Sequence, residues 1–152
     1  MPDPTPTASV VLIDAIITEI EDALPDLLLA AGLPAVAEWT FGTRGIVPTT
    51  RTPQVQVDLA SAPQYGNFGL DLKRRNNIVV IALLAAPDED TLHRYLLGYG
   101  DCIIAALEGI APPWAVTGAD TTPSFSPQGS NRLFRAVAIE AERVTLRQRG
   151  AV

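Results

Sequence analysis

Residues 54–90 run QVQVDLASAPQYGNFGLDLKRRNNIVVIALLAAPDED, and three kinds of local order meet in them. Val55, Val57 and Leu59 alternate with Gln56 and Asp58, the period of a strand with one buried face, so Gln54–Ala60 reads as a strand. Ser61–Gly69 carries Pro63, Gly66 and Gly69 and predicts a loop that turns the chain round. Leu70–Ala86 then predicts one long strand. It is polar at its start, with Lys73, Arg74 and Arg75, and apolar throughout from Ile78 onward, the pattern of a central strand covered on both faces. Residues 54–86 thus form a large hairpin whose outer part projects beyond the core. Pro87 and Asp88 open a helix, and the carboxylates of Asp88, Glu89 and Asp90 suit the positive end of its dipole.

That helix has its apolar stripe at Leu92, Tyr95, Leu96, Tyr99, Ile103, Ala106, Leu107 and Ile110, with Gly109 as its stop. Gly98 and Gly100 each cost it about 1 kcal/mol, which points to a close helix–sheet crossing or a bend. Beyond it, Trp114–Ala119 reads as a short strand, Asp120–Asn131 as a loop and Arg132–Arg147 as a long final strand. The apolar positions of that strand switch parity, from Val137, Ile139 and Ala141 to Val144 and Leu146, which implies a bulge or a strand leaving the sheet. Toward the N-terminus, residues 1–8 form an extended Pro/Thr arm, and Ser9 is the expected N-cap of an amphipathic helix ending at Gly32 and Pro34. Pro25 should kink that helix or split off a second one. Val36–Phe41 can form a short strand, with Trp39 and Phe41 on one side, and residues 42–53 a loop. The expected fold is a single α+β domain over residues 1–152 in the order α-β-β-β-α-β-β. Its sheet is mainly antiparallel, with two helices packed on one face, a long projecting hairpin and a short tail at 148–152.

The chain has 152 residues, 47% of them hydrophobic and 18% charged, enough to bury a single core without staples. One cysteine, Cys102, and one histidine, His93, exclude a disulfide framework and a zinc site built from several Cys or His ligands. A net charge of −6 argues against a general nucleic-acid binder. The charge is segregated: residues 1–40 hold Asp3, Asp14, Glu19, Glu21, Asp22, Asp26 and Glu38 without a single base, whereas 132–152 hold five arginines against Glu140 and Glu142. Lys73 is the one lysine, and arginine suits geometrically fixed pairing with carboxylates. Met1–Val10 lacks the basic and apolar parts of a secretory signal, and the apolar run Ile78–Ala86 is half a membrane span. The expectation is a soluble chain made in a cytoplasm, with no membrane partner.

Catalytic signatures are missing. His93 and Cys102 lie nine residues apart in one predicted helix, about 13 Å along its axis, and cannot form a dyad. Gly98-Tyr99-Gly100 lacks a third glycine and sits within a helix; Asp88-Glu89-Asp90 lacks the spacing of a calcium loop. The expectation is no enzyme, no cofactor and no metal. What remains is surface. Tyr65 and Phe68 at the hairpin tip, Lys73, Arg74 and Arg75 beside it, and the loop arginines Arg44 and Arg51 are the candidate protein-interface residues, since aromatics and arginine anchor interfaces. A tip folded back on its own domain, and a merely solvated basic strand start, stay open as readings.

The ordered pattern resembles the phage tail terminator family. The resemblance rests on the amphipathic N-terminal helix ending near Gly32, the strand Pro53–Leu59, the strand Asn77–Leu83 leading into the helix from Asp88 to Gly109, and the closing strand Phe134–Ile139. It implies a structural virion protein at the head–tail interface, assembled in the host cytoplasm. Such a protein forms a hexameric ring that caps the tail tube, halts its polymerisation and offers a surface to the head-completion or stopper protein. DNA passes through the ring's lumen without sequence-specific binding. Another neck component, an adaptor or stopper, is the nearest alternative; a ferredoxin-like small-molecule-binding regulatory domain is the more distant one.

Overall fold

The computed structural model describes residues 8–41, 51–59, 64–68, 71–110, 113–127 and 130–148. The elements follow as α1 (Ala8–Ala30), β1 (Glu38–Phe41), β2 (Gln54–Leu59), β3 (Gln64–Phe68), β4 (Asp71–Ala86), α2 (Glu89–Gly109), β5 (Ala115–Thr121) and β6 (Leu133–Gln148). One sheet runs β1-β2-β4-β6-β5, with β3 beside the outer end of β4. β1 lies parallel to β2, and every other pair is antiparallel. The expected α+β architecture, with both helices on one face, is the one observed. The region expected to be a loop at 61–69 contains an additional short strand, β3.

Alternation along the strands sorts the core. Val55, Val57, Ile78, Val80, Ala82, Leu84, Val137, Ile139 and Ala141 are buried together with Ile16, Ile20, Leu24 and Leu28 of α1 and Leu92, Leu96, Tyr99, Ile103 and Leu107 of α2. Each such Val, Ile or Leu side chain contributes about 1.5–3 kcal/mol by leaving water, so this layer dominates the stability of the domain. Leu83, Ala85 and Phe134 form a second, smaller cluster on the opposite face.

α1 begins at Ala8, so Ser9 lies inside the helix and is not its cap. Pro25 neither ends nor divides it. The residue is exposed, on the side where water can take the carbonyl that its missing N–H leaves unpaired. At the C-terminus Gly32 adopts φ +71°, and the bonds Leu33 N–H to Leu28 O (2.9 Å) and Gly32 N–H to Leu29 O (3.1 Å) close a Schellman turn. Asp88 caps α2 by accepting from Thr91 N–H at 2.8 Å and from the Thr91 hydroxyl at 3.0 Å. These two bonds, the backbone one foremost, hold the Asp88 carboxyl below its ordinary pKa.

The two helical glycines serve different contacts. A Cβ at Gly98 would come within 2.7 Å of Leu33 Cδ1, so the glycine admits the segment that follows α1; one at Gly100 would sit 3.7 Å from Val137 Cγ2, an ordinary contact. The Tyr99 hydroxyl between them donates to the Pro34 carbonyl and ties the same segment to α2.

β4 and β6 pair without interruption from Asp71↔Gln148 to Ala86↔Leu133. The parity switch in β6 is therefore no bulge against β4. Val144 simply lies on the face away from the helices, where it is 40% exposed. The irregularity is on the other side of β6, in β5 between Val116 and Gly118. β2 pairs only with Ile78–Leu83, and β5 reaches only Glu142. Asp71–Asn77 and 143–148 therefore run past both as an arm, flanked by β3 on one side alone among the described residues.

Two outcomes follow from these contacts. Gly100→Ala should raise stability by about 0.5–1 kcal/mol, read from chemical denaturation, because the helix gains alanine propensity without a clash; Gly98→Ala should gain less, since Leu33 must move. The cap of Asp88 contributes stability fully above the unfolded-state carboxyl pKa, and this contribution is lost as pH falls through the lower folded-state value. Melting midpoints of wild type and Asp88→Ala should thus differ at neutral pH and converge in acid.

Candidate interface

The arm collects most of the candidate residues by register alone. Tyr65 lies opposite Arg74, Gly66 opposite Lys73 and Phe68 opposite Asp71, so the aromatics expected at a loop tip belong to a paired strand. On the other side of β4, Arg75 faces Val144, Asn76 faces Arg143 and Leu72 faces Arg147. Residues 71–77 and 142–148 carry Lys73, Arg74, Arg75, Arg143 and Arg147 against Asp71 and Glu142. The Arg75 Nε is 3.7 Å from Glu142 Oε2, with the two side chains 43% and 33% exposed. Such a pair is worth at most about 1 kcal/mol. Arg51 is exposed at the bend before β2, apart from this group, and Arg44 lies outside the described residues.

The guanidinium of Arg143 stands 4.5 Å from the centroid of buried Trp114 and anchors the base of the arm by a cation–π contact. Asn76, its cross-strand partner, is buried as well.

The sheet face without helices is apolar in its middle. Val79, Ile81, Ala136 and Ala138 are half-buried there, and Leu83 and Phe134 are buried. Phe125, 44% exposed, stacks on Phe134 with ring centroids 5.7 Å apart. Beside this area a polar chain crosses β1 and β2. Gln56 Nε2 donates to Gln54 Oε1 at 2.8 Å, and Gln54 Nε2 donates to the Glu38 carboxylate at 2.9 Å. Both glutamines are buried, so these bonds offset the desolvation that their amides would otherwise suffer.

A groove of about 240 Å³ opens between α2 and β5. Leu96, Gly100, Ile104, Val137 and Ile139 supply its apolar floor, and Leu97, Asp101, Asp120 and Thr121 its rim. Leu97 is 55% exposed. Asp101 and Asp120 are exposed, and neither is in a salt bridge with a described basic residue. Glu108, seven residues beyond Asp101, continues the acidic line along α2 and is exposed too. Arg135 stands at one end, bonded to Thr122 O at 2.9 Å and to Thr121 Oγ1 at 3.3 Å. Sequence reasoning missed this groove. The helical spacing of Leu97, Asp101, Ile104 and Glu108 was the available signal, but the strand completing it was placed only by the sheet.

Cys102 is buried, with its sulfur 3.7 Å from the Leu27 carbonyl, and burial pushes its thiol pKa up. His93 is exposed on the same helix. Burial likewise raises the Tyr99 hydroxyl pKa far above its ordinary value. No cluster of three His, Cys, Asp or Glu residues with metal-binding geometry occurs among the described residues, and none of their helices is long and apolar enough to cross a membrane.

No protein-family model and no curated protein matches this sequence. Among solved structures, a chain described as "Virion of native gene transfer agent (GTA) particle" is similar to this one. The identity is 12% and the TM-score 0.45, over 90% of this chain and 98% of that one. A likeness of this size assigns no role.

With its thiol buried and its pKa raised, Cys102 should resist iodoacetamide at pH 8 in the native protein and react once denaturant is added. Mass spectrometry of the alkylated chain reads the difference, and rapid native labelling would contradict the packing described.

Proposed function

We propose that this chain is a structural component of a phage-like particle, a tail terminator that forms a ring on the end of the tail tube. It stops the tube's polymerisation and presents a surface to the head-completion protein. The observation that carries the reading is the arm. Sixteen residues of β4 pair with sixteen of β6, far more than the flanking strands cover, and the excess is a basic ribbon whose β6 edge is open among the described residues. A lone chain gains little from such a ribbon, because open strand edges invite association. In a ring, neighbouring copies cover the edges, and the same residues become specific contacts. The half-buried apolar face of the sheet supports the reading further, as does the acid-only stretch 1–40, a surface that DNA can pass without binding. Tyr65, Phe68, Lys73, Arg74 and Arg75 are the contacts assigned to adjacent subunits or to the tube.

The paired substitution Arg74→Asp and Arg75→Asp tests the assignment. Native mass spectrometry and co-purification with tail tube protein should show loss of the multi-copy species and of tube binding, with helix and strand content unchanged by circular dichroism. A variant that assembles like the wild type would remove the arm from the interface. A wild type that stays monomeric both alone and with tube protein would end the ring reading itself.

A further inference from the structure

We propose that the groove between α2 and β5 receives the end of the arm from a second copy, with Asp101, Glu108 and Asp120 facing Arg74 and Arg147, whose register positions share one face of the arm. This rests on the ring reading above and names the surface that the ring closes on. The groove pairs an apolar floor (Leu96, Ile104, Val137, Ile139) with carboxylates on its rim. That combination suits arginine and lysine, whose aliphatic stems lie on apolar surface while their heads meet acids. The rim carboxylates have no basic partner on their own chain among the described residues, whereas the arm holds more bases than its own two acids can balance. Arg135 at the groove's end is held by Thr121 and Thr122, and it leaves the line from Asp101 to Glu108 acidic.

Reach and symmetry agree with this occupant. The seven residues Asp71–Asn77 beyond β2 extend about 24 Å at strand rise, enough to cross onto a neighbour. Arm and groove are different surfaces of one chain, so each copy can give its arm to one neighbour and its groove to another, the head-to-tail contact from which a ring closes.

Two charge-reversed variants test the docking: Asp101→Arg with Asp120→Arg in the groove, and Arg74→Asp with Arg147→Asp on the arm. All four positions are read in the full chain by native mass spectrometry and sedimentation, with circular dichroism as the check on folding. Each variant alone should self-associate at least about tenfold more weakly than wild type. Mixed in equal amounts they should recover rings, in which each reversed groove takes a reversed arm and each native groove a native arm. Rings that persist in the groove variant would overturn the docking while leaving the ring reading standing. So would a mixture that fails to recover when the wild type assembles. A wild type that forms no multi-copy species, alone or with tail tube protein, would overturn both.

Discussion

The uninterrupted ladder between β4 and β6 is the constraint from which the rest of the domain is arranged. Because a strand shows alternate residues to opposite faces, one register decides at once which side of each strand the helices cover. It puts Ile78, Val80, Ala82 and Leu84 beside Ala141, Ile139, Val137 and Arg135, and the first three pairs make an apolar floor for α2. A slip of β6 by one residue would turn Glu140 and Glu142 toward α2 and bury carboxylates without partners, at a cost of several kcal/mol. β2 then adds Val55 and Val57 to the same floor, and α1 closes the layer over them. The loop after β5 folds back on β6 through Phe125 and Phe134 and covers part of the other face.

The elements that were legible in the sequence are those where a single local rule applied. Strict alternation marked the strand at Gln54–Ala60, Pro87 with the acids Asp88, Glu89 and Asp90 marked the start of α2, and Gly32 with Pro34 marked the end of α1. The misread parts are those where two rules competed. Pro63, Gly66 and Gly69 argued for a loop, yet residues 64–68 pair with Asp71–Arg75 of β4, on a stretch of edge that β2 does not reach. Proline inside α1 argued for a break, yet the buried stripe Ile16, Ile20, Leu24 and Leu28 holds the helix continuous on both sides of Pro25. In β6 the parity switch was visible but its meaning was not. A change in which face is apolar can reflect a bulge or a change in what covers the strand, and only the neighbouring strands decide between them. Of the candidate interface, Lys73, Arg74 and Arg75 were legible as a basic cluster; the acidic groove was not, since Asp101 and Asp120 are nineteen positions apart and meet only through the α2–β5 packing.

The distribution of charge follows from the same frame. A pair of strands longer than its neighbours must end in residues that tolerate water on several sides, and arginine and lysine meet that demand while discouraging indiscriminate edge pairing. Their repulsion along the arm is lowered by Glu142 near Arg75 and by the Trp114 ring beneath Arg143. The acids, by contrast, sit on the outward sides of the two helices, at Asp14, Glu21, Asp22 and Asp26 of α1 and Asp101 and Glu108 of α2. One fold thus presents a positive protrusion and a negative groove separated by its own core. At physiological salt the Debye length is about 8 Å, too short for opposite charges on well-separated surfaces of one molecule to satisfy each other. Brought together on two molecules they meet at contact distance, where desolvation strengthens them and the apolar floor of the groove adds its own area. On the proposed docking, association is the state that compensates this charge pattern, and the length of the β4–β6 ladder is what lets the arm reach beyond its own domain.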